Sequence, residues 1–518
     1  MQLGETVLLI RRFLFSVLVS WSIFTVTLSA AFNSATCIEA ANQTATLSPV
    51  EIDPNLPYRI EVRPVSFGAA ELPTLHSYAV GNYDGKWLLI SGRTNGLHGF
   101  DAISPDQNFP PQFQNRDVWV IDIANKQSWH RSLNDAASGL TAAQVASLSM
   151  ANNQFYQAGN KLYVSGGYGV NESGNYVTVD TLSSIDVAGL GNWVTGGSGT
   201  AAAHIRQMNS PLVQVTGGAM YEIDGRTHLV FGQNFQGPYS PASSGVYTQQ
   251  IRSFDIVDAG IGLSIANASS SAAEFDYHRR DLNVFPTIRP DGGSTKQGLE
   301  VLSGVFTNTN GAWTVPVEID AAGNPTMADP ALSATFKQGM NNYHSAKVGL
   351  YSEADGAMHE ILFGGISLQY LDEATNSIVT DNQLPFVNDI TTITIDAAGN
   401  YTQSHLGDFP ELLDLEGNRL RLGANAEFLL ADGISTFGND VIKLDALHGE
   451  TVLGHIFGGI VANAPHTRVS PSTLSAASNQ LFEVVLIPVP EPSTWLLACV
   501  GLLVAAISAR RARRFSSF

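Results

Sequence analysis

The sequence predicts an all-β protein, a single β-propeller of about six four-stranded blades. The composition favours turn-rich β-structure over helix bundles, because 48 Gly, 25 Phe and 15 Tyr accompany only 14% charged residues. Two strand-like segments also recur in a fixed order along the chain. Their period is well above 20 residues, which is typical of a propeller.

The first recurring segment is an apolar β run that ends in a small residue and glycine. It occurs as WLLISG (87–92), LYVSGG (162–167), HLVFG (228–232), EVLSG (300–304), EILFGG (360–365) and HIFGGI (455–460). Glycine lacks a Cβ and therefore permits tight bends and close approach of neighbouring backbone. We expect Gly166, Gly364 and Gly458 to be buried against neighbouring strands.

The second recurring segment is an alternating strand that ends in a hydrophobic residue, an aspartate and a turn. Its aspartates are Asp122, Asp186, Asp255, Asp320 and Asp396, and IDAAGN occurs at both 319–324 and 395–400. These turns suit a hairpin between the two outer strands. Calcium loops carry several oxygen donors at alternate positions, whereas each IDAAGN turn has one Asp and one Asn. We therefore expect the aspartate to cap its own turn.

A third segment precedes each predicted innermost strand. Its first residues are His76, Gln154, Asn209, Arg280, His344 and Asn425. Together with the glycine-ended strands, it resembles the kelch repeat, whose unit begins with a His-Ser-Ala-Val-like strand, and residues 344–365 match best. The resemblance implies a propeller. The spacing of about 60 to 94 residues exceeds the ~50 of kelch and requires longer loops.

The two ends of the predicted propeller domain, residues 57–488, complete the last blade. LFEVVLI (481–487) is its third strand, and YRIEVRPV (58–65) supplies the missing outermost strand. This pairing would close the ring and remove exposed sheet edges. Seven blades are the alternative if the interval 365–458 contains a degenerate blade. The intervals 136–150 and 264–274 are expected to be inter-blade loops, the first with a short helix.

The polar residues that lead the innermost strands form the candidate ligand site, because a propeller brings them to one mouth of its channel. They are His76, Gln154 (or its neighbour Asn153), Asn209, Arg280, His344 and Asn425. Imidazoles, a guanidinium and amides can hydrogen-bond a polyol, a glycan or a carboxylate. The alternative is that these groups bond to backbone and hold the blades together, since buried polar groups are generally paired.

No catalytic motif is found, and no cofactor or metal is expected. The two cysteines, Cys37 and Cys499, lie near the ends of the chain, so the stretch between them contains no cysteine nucleophile. This excludes the Cys-Tyr crosslink of galactose-oxidase-like enzymes, which the kelch resemblance would otherwise suggest. Sialidase Asp boxes, a Gly-x-Ser-x-Gly elbow and a His-Glu-x-x-His helix are also missing from the sequence.

The two ends of the chain have the sequence features of export signals. Arg11-Arg12, an apolar run and small residues near Ser29–Ala31 predict a signal peptide over residues 1–31, followed by a linker over 32–56. At the other end, residues 489–514 contain a Pro-Glu-Pro motif, an apolar run from Trp495 to Ala509 and a basic tail. The residues of the motif and the tail are Pro490, Glu491, Pro492, Arg510, Arg511, Arg513 and Arg514.

This C-terminal arrangement resembles the PEP-CTERM sorting signal. In that family an exosortase recognises Pro-Glu-Pro and removes the tail, which leaves the protein on the surface or in the matrix of Gram-negative bacteria. The apolar run is short for a permanent span of about 20 residues, and the arginines hold its end in the cytoplasm. The membrane is therefore expected to contact the chain only through this segment.

Two functions remain open. The first is a non-catalytic module that binds an exopolysaccharide or a surface protein, and the second is a carbohydrate-active isomerase, lyase or hydrolase that uses Arg280 and His344. Because no acid/base pair is recognisable, the sequence favours binding. The formal charge of −19 argues against a nucleic-acid partner, which would require clustered Lys and Arg.

Overall fold

The computed structural model describes residues 47–52, 54–260, 262–372, 374–467 and 474–489. The predicted signal peptide (1–31) and the sorting residues from Pro490 to Arg514 lie outside these ranges. Strands account for 47% of residues and helices for 9%, which confirms the all-β prediction. Within the described ranges, no helix combines the length and apolar character needed to cross a membrane.

Six antiparallel sheets are each built on four main strands, which we number from first to fourth in their order of pairing. The strands follow this order along the chain, except that the fourth strand of sheet 6 comes from the N-terminal end of the described residues. Sheet 1 contains Ala79–Tyr83, Lys86–Ile90, Asp117–Asp122 and Gln127–Ser132; sheet 2 contains Gln154–Ala158, Lys161–Ser165, Thr181–Asp186 and Ile205–Asn209; sheet 3 contains Ala219–Ile223, Arg226–Val230, Ile251–Ala259 and Gly262–Ser270. Sheet 4 contains Asn283–Asp291, Ser294–Leu302, Val317–Asp320 and Pro325–Met327; sheet 5 contains Ala346–Ser352, Ala357–Ile366, Phe386–Ile395 and Tyr401–Asp408; sheet 6 contains Glu427–Leu430, Thr451–Phe457, Leu481–Pro488 and Tyr58–Pro64.

The two ends of the described chain meet in sheet 6. Tyr58–Pro64 pairs antiparallel with Leu481–Pro488, with Ile60 opposite Leu486, so the predicted pairing of the early run with the last strand is confirmed. Sheet 5 gains two parallel edge strands, Val50–Ile52 beside its fourth strand and Ile442–Lys443 beside its first. The first of these lies within the predicted linker.

Shorter elements fill the connections. The small sheets pair Tyr168–Val170 with Tyr176–Thr178, Gln233–Phe235 with Gly245–Tyr247, Gln369–Asp372 with Ser377–Thr380, and Ile460–Ala462 with both Arg421–Ala424 and Ser475–Ala477. The α-helices are Pro105–Asn108, Ala142–Ser147 and Val187–Val194, and the 3₁₀ turns are Pro111–Phe113, Ala136–Ser138, Ala201–His204, Pro211–Val213, Phe275–Tyr277, Gly438–Asp440 and Leu444–Ala446.

One interval was assigned incorrectly from the sequence. Residues 264–274 were expected to be a loop, but Gly262–Ser270 is the fourth strand of sheet 3. Its small polar residues conceal the strand because it lies at a sheet edge, where most of its side chains are exposed and no apolar alternation is needed. The helix expected within 136–150 is present as Ala142–Ser147, where Thr141 and Gln144 form a capping box.

The hydrophobic core is divided among the spaces between consecutive sheets. Ile90 of sheet 1 packs in one cluster with Val164 of sheet 2, and further clusters join sheets 2 and 3, 3 and 4, 4 and 5, and 5 and 6. A last cluster brings Trp87 and Leu89 of sheet 1 against Leu429 and Phe457 of sheet 6. Each sheet therefore buries both faces, one against each neighbour.

In each of the six sheets, two successive residues of positive φ lie at the end of the second strand. The pairs are Ser91–Gly92, Gly166–Gly167, Phe231–Gly232, Ser303–Gly304, Gly364–Gly365 and Gly458–Gly459. At Gly364, a Cβ would overlap the carbonyl oxygen of Leu422. The expectation that these glycines are buried against neighbouring backbone is confirmed.

The recurring aspartates differ in what they do. Asp320 and Asp396 accept hydrogen bonds from the backbone and side chain of Asn324 and Asn400 respectively, as expected for turn caps. Asp186 instead caps the helix Val187–Val194 through the backbone N–H of Gly189. Asp255 lies inside a strand that continues to Ala259.

Candidate functional site

One residue in the left-handed conformation precedes the first strand of each sheet, and together these six residues form what we call the polar ring. They are Ser77, Asn152, Gly217, Asp281, His344 and Asn425, with φ between 53° and 67°. Such φ values are rare outside glycine, and Asn and Asp tolerate them best. The same backbone geometry therefore recurs six times, with five different residue types.

Backbone hydrogen bonds connect the polar ring. The N–H of Asn152 donates to the carbonyl of Ser77 (3.3 Å), and the same bond joins Gly217 to Asn152, Asp281 to Gly217 and Asn425 to His344. The N–H of Ser77 donates to the carbonyl of Asn425 (3.3 Å). The series thus returns from sheet 6 to sheet 1.

An ion-pair triad lies between the ring residues of sheets 4 and 5. His344 Nε2 lies 2.7 Å from Asp281 Oδ1, and Arg280 Nε lies 3.2 Å from Asp281 Oδ2. Burial alone would raise the pKa of Asp281, but the attraction of His344 and Arg280 outweighs it and lowers that pKa to about 2. Of the predicted site residues, Arg280 and His344 are therefore in one cluster, joined through Asp281.

His76 and Asn425 both bond to Ser77, the ring residue of sheet 1. Asn425 Nδ2 donates to Ser77 Oγ, and His76 Nδ1 lies 2.9 Å from the same hydroxyl. Burial and the nearby positive charge of Arg93 lower the pKa of His76 to about 3, so this imidazole is neutral at physiological pH. Both residues bond within the protein, as the structural interpretation of the site anticipated.

Gln154 and Asn153 lie beside the ring residue of sheet 2. Gln154 is 1% exposed and donates through Nε2 to the carbonyl of Asn152 (2.7 Å), while Asn153 donates to the carbonyl of Gly166 (2.8 Å). The side-chain amide oxygens of the two residues, Gln154 Oε1 and Asn153 Oδ1, are buried and have no hydrogen-bond partner in the described residues. Both residues line the inner cavity defined below.

Asn209 forms its hydrogen bonds away from the polar ring, with Asp180 and Thr181. It ends the fourth strand of sheet 2, pairs with Thr181, and donates to Asp180 Oδ1. The ring position of sheet 3 is occupied by Gly217, so the sheet 3 unit begins after the segment NSPLV (209–213) rather than with it. Asn209 therefore leaves the candidate site, and Gly217 replaces it.

A cavity of about 670 Å³ extends from the polar ring along all six first strands, and we call it the inner cavity. At one end lie the ring residues, including His344 and Asp281. At the other end lie Asp432 and Asp440, both exposed. A volume of this size suits a small saccharide or a comparable ligand.

Two oppositely charged side chains stand on the wall of the inner cavity. Lys347 comes from the first strand of sheet 5 and Glu427 from the first strand of sheet 6. No hydrogen bond or ion pair joins either side chain to another described residue. Burial raises the pKa of Glu427, although Lys347 opposes that shift. Both groups are available to a ligand.

The sequence contained a signal for the ring residues that were missed. Ser77 and Ser91, Asn152 and Gly166, and Gly217 and Phe231 are each separated by the same number of residues. Counting back from the end of each second strand would have found Ser77, Asn152 and Gly217. Asp281 directly follows the predicted residue, Arg280, so the prediction for sheet 4 was wrong by one position.

Three potential metal ligands lie together elsewhere, on sheet 5. Asp389, His405 and Asp408 have ligand atoms within 4.8 Å of one another. Burial lowers the pKa of His405, but its contacts with both aspartates outweigh this and raise that pKa to about 9. Arg419 Nη2 lies 3.0 Å from Asp408 Oδ2. Two cations thus balance two carboxylates, and the group is a neutral ion-pair network.

A cluster of titratable residues is buried between sheets 4 and 5. Glu300 and Glu360 are both 0% exposed. Glu300 accepts hydrogen bonds from Arg289 Nη2 (2.6 Å) and the Tyr401 hydroxyl (3.1 Å), whereas neither carboxylate oxygen of Glu360 has a partner in the described residues. Burial raises the pKa of both carboxyls, and the charge of Glu300 adds to the shift of Glu360.

Comparison with known proteins bears mainly on the C-terminus. No curated protein matches the chain. A solved structure entitled "Structure of YjhT" is similar at 11% identity and a TM-score of 0.40, covering 81% of this chain and 98% of the other, a likeness too low to support an argument. The family model for the PEP-CTERM protein-sorting motif matches residues 488–514. The chain therefore carries a PEP-CTERM sorting signal, which implies an exported protein that an exosortase processes.

Proposed function

We propose that this protein is a six-bladed propeller of the bacterial surface or extracellular matrix, whose inner cavity binds a glycan without catalysis. The observation that carries the proposal is the inner cavity itself, about 670 Å³ in volume and lined by the first strands of all six sheets. The sorting signal supports the location, because exosortase substrates are exported before their tails are removed.

Two features support the propeller. The hydrogen-bonded polar ring returns from Asn425 of sheet 6 to Ser77 of sheet 1, and the core cluster that includes Trp87 and Phe457 joins the same two sheets. Sheets that each pack against two neighbours, with the last against the first, are the arrangement of blades around an axis. In this arrangement residues 57–488 form one domain.

The chemistry of the cavity supports glycan binding. Amide, hydroxyl and carboxylate groups alternate along its wall with the partly buried aromatic rings of Phe155, Tyr221 and Phe428. Saccharides present hydroxyl donors and acceptors around an apolar face, so a wall of mixed polar groups and rings matches them.

A glycan-array screen of the full chain, followed by calorimetry on each hit, tests the proposal. Glu427→Gln keeps the side-chain shape but removes a charge from the cavity wall, and we expect it to weaken binding by about tenfold, the loss of one charge-assisted hydrogen bond. Glu416→Gln is the matched control, because Glu416 is exposed and does not line the inner cavity. Equal binding by both variants would place the ligand outside the inner cavity.

The Asp281–His344 contact favours a second candidate function, a carbohydrate-active enzyme. A carboxylate that orients an imidazole beside a cavity is the arrangement of a general base. In that case the protein would convert the glycan that it binds. Turnover assays on each array hit, with His344→Gln as the inactive comparison, distinguish the two functions, since a binding module leaves every hit chemically unchanged.

A further inference from the structure

We infer that the membrane-held precursor keeps the mouth of the inner cavity facing the nearby bilayer, and that removal of the tail opens this mouth to large molecules. By the mouth we mean the end of the cavity marked by Asp432 and Asp440. The inference concerns access to the cavity, and only its consequence for glycans rests on the proposed function. Three observations carry it: the narrow polar ring, the point where the chain leaves sheet 6, and the short distance from that point to the apolar run.

The polar ring is too narrow to be the entrance for a saccharide chain. Backbone hydrogen bonds join its residues at five of the six junctions, and the His344–Asp281 contact joins the sixth. Hydrogen-bonded neighbours lie about 5 Å apart, so a ring of six has a radius of about 5 Å to its Cα atoms. The atoms themselves fill about 2 Å of this radius, and the side chains of His344 and Asp281 line the cavity and narrow the opening further. A saccharide chain therefore enters through the mouth.

The C-terminal end of the described chain lies at the mouth end of sheet 6. Leu430, which ends the first strand, pairs with Gly454, and Gly454 pairs with Val484. These residues are therefore at one level of the sheet. The third strand runs in the same direction as the first and continues beyond this level to Pro488. Pro488 thus lies two strand spacings, about 10 Å, to the side of the strand that leads into Asp432.

Only a short connection separates this point from the membrane anchor. The backbone N–H of Val489 donates to the Pro57 carbonyl (2.8 Å), so the sheet holds the chain up to Val489. Residues 490–494 then precede Trp495, the first residue of the apolar run in the matched sorting signal. Covalent geometry limits the reach from Val489 to Trp495 to about 20 Å. The precursor therefore holds the mouth end of sheet 6 within about 20 Å of the bilayer.

The connection that follows the first strand of sheet 6 borders the mouth. Residues 431–434, 439 and 440 line it. Asn439 Nδ2 donates to the Glu222 carbonyl of sheet 3 (2.7 Å), and Ile442–Lys443 pairs with the first strand of sheet 5. The segment that borders the entrance thus belongs to the same sheet as the anchor. The bilayer and the mouth therefore lie on the same side of the precursor.

A bilayer at this distance restricts large molecules more than small ones, because a polymer needs a clear volume of its own size in front of the mouth. A short oligosaccharide should reach the cavity before and after sorting. An exopolysaccharide should bind only after an exosortase has removed the tail. Binding of the polymer is then delayed until the protein has left the membrane.

Labelling of engineered thiols with maleimides of two sizes tests the inference. Both native cysteines are first replaced, by Cys37→Ser and Cys499→Ala. Asp432→Cys then places a thiol at the mouth, and Glu274→Cys places one at the ring end, in the connection between sheets 3 and 4. The two sites are matched, because both residues are exposed carboxylates. The full chain in phosphatidylcholine vesicles is compared with the processed chain that ends at Pro492.

The mouth thiol should be protected only from the large reagent and only in vesicles. We expect a long poly(ethylene glycol) maleimide to label Asp432→Cys at least about fivefold more slowly in vesicles than in the processed chain. N-ethylmaleimide should label it equally in both, and Glu274→Cys should react equally with either reagent. An insert of about 20 Gly and Ser residues after Val489 adds a mean span of about 25 Å and should restore the rate in vesicles.

Three results would overturn the inference. Equal rates at Asp432→Cys in vesicles and in the processed chain would show that the mouth is open from the start. Equal slowing of Asp432→Cys and Glu274→Cys would show that the protein lies on its side against the bilayer. Slowing that persists with the insert would show that the short connection is not its cause.

The labelling result is independent of the proposed glycan-binding function. If no glycan binds the processed chain, that function fails while the labelling result stands. For a glycan that binds, a short oligomer should bind the vesicle-held and processed chains equally, and the polymer should bind the processed chain at least about fivefold more tightly. Equal binding of the polymer by both chains would overturn the inference and leave glycan binding intact.

Discussion

His344 Nε2 lies 2.7 Å from Asp281 Oδ1, and this side-chain contact stands where backbone hydrogen bonds connect the other neighbouring residues of the polar ring. A protonatable pair thus links sheets 4 and 5 at the ring. The stability of this link therefore depends on pH.

Asp281→Asn should destabilise the protein at pH 7 by about 2 kcal/mol, the value of a pKa lowered by nearly two units. The folded-state pKa of about 2 lies below the usual value, so the stabilisation is present at neutral pH. It should disappear as the pH falls from about 4 toward 2. Urea unfolding of both proteins across this range measures the difference. A gap that persists at pH 2 would mean that the aspartate acts through packing.

Glu360→Gln should have the opposite effect on stability and make the protein more stable at high pH. Because burial raises the pKa of this carboxyl, the folded protein holds a proton that the unfolded chain releases, and wild-type stability falls as the pH rises above about 4. The amide removes that penalty, so the variant should be more stable by about 1–3 kcal/mol at pH 8 and equal to wild type near pH 4. A less stable variant at pH 8 would contradict the prediction.

Gly364→Val should destabilise the fold by about 3–5 kcal/mol. The residue has φ of +59°, and a Cβ would overlap the Leu422 carbonyl. Gly399→Val is the matched control, since Gly399 also has positive φ but has no atom near its missing Cβ. Thermal unfolding of the two variants separates conformational strain from overlap. Similar losses would show that the close approach contributes nothing.

Glu491→Ala should block removal of the C-terminal tail. The residue is the centre of the Pro-Glu-Pro motif within the matched sorting signal. In a host with an exosortase, wild-type protein should lack the residues beyond about 492, and the variant should retain them through Phe518. Intact-mass analysis of both proteins decides this. Recovery of the whole tail from the wild type would reduce the segment to an ordinary membrane anchor.

The repeated elements were predictable because their chemistry is local. Gly166, Gly364 and Gly458 all have positive φ, a conformation that glycine adopts readily. Asp320 and Asp396 each accept a hydrogen bond from the backbone N–H four residues further along the chain. The pairing of residues 58–65 with the last strand was predictable from a different fact, the missing fourth strand of the sixth unit.

The exact ring residues were not predictable from the same reasoning. Each sheet is covered on both faces, so its strands lack the polar alternation that would set the register, and a shift of one residue exchanges the two faces. Arg280 was chosen where Asp281 occupies the ring, and Asn209 was chosen where the ring residue is Gly217.

The sequence by itself determined the C-terminal sorting signal, the all-β class and the order of the repeats, because each depends on short segments with their own conformational or recognition chemistry. Only the tertiary structure decided which charges face one another. Lys347 and Glu427 share the inner cavity, and Glu300 and Glu360 share a buried interface, although 60 or more residues separate each pair along the chain. Electrostatic effects of this kind depend on distance and burial, and neither quantity exists until the sheets have packed.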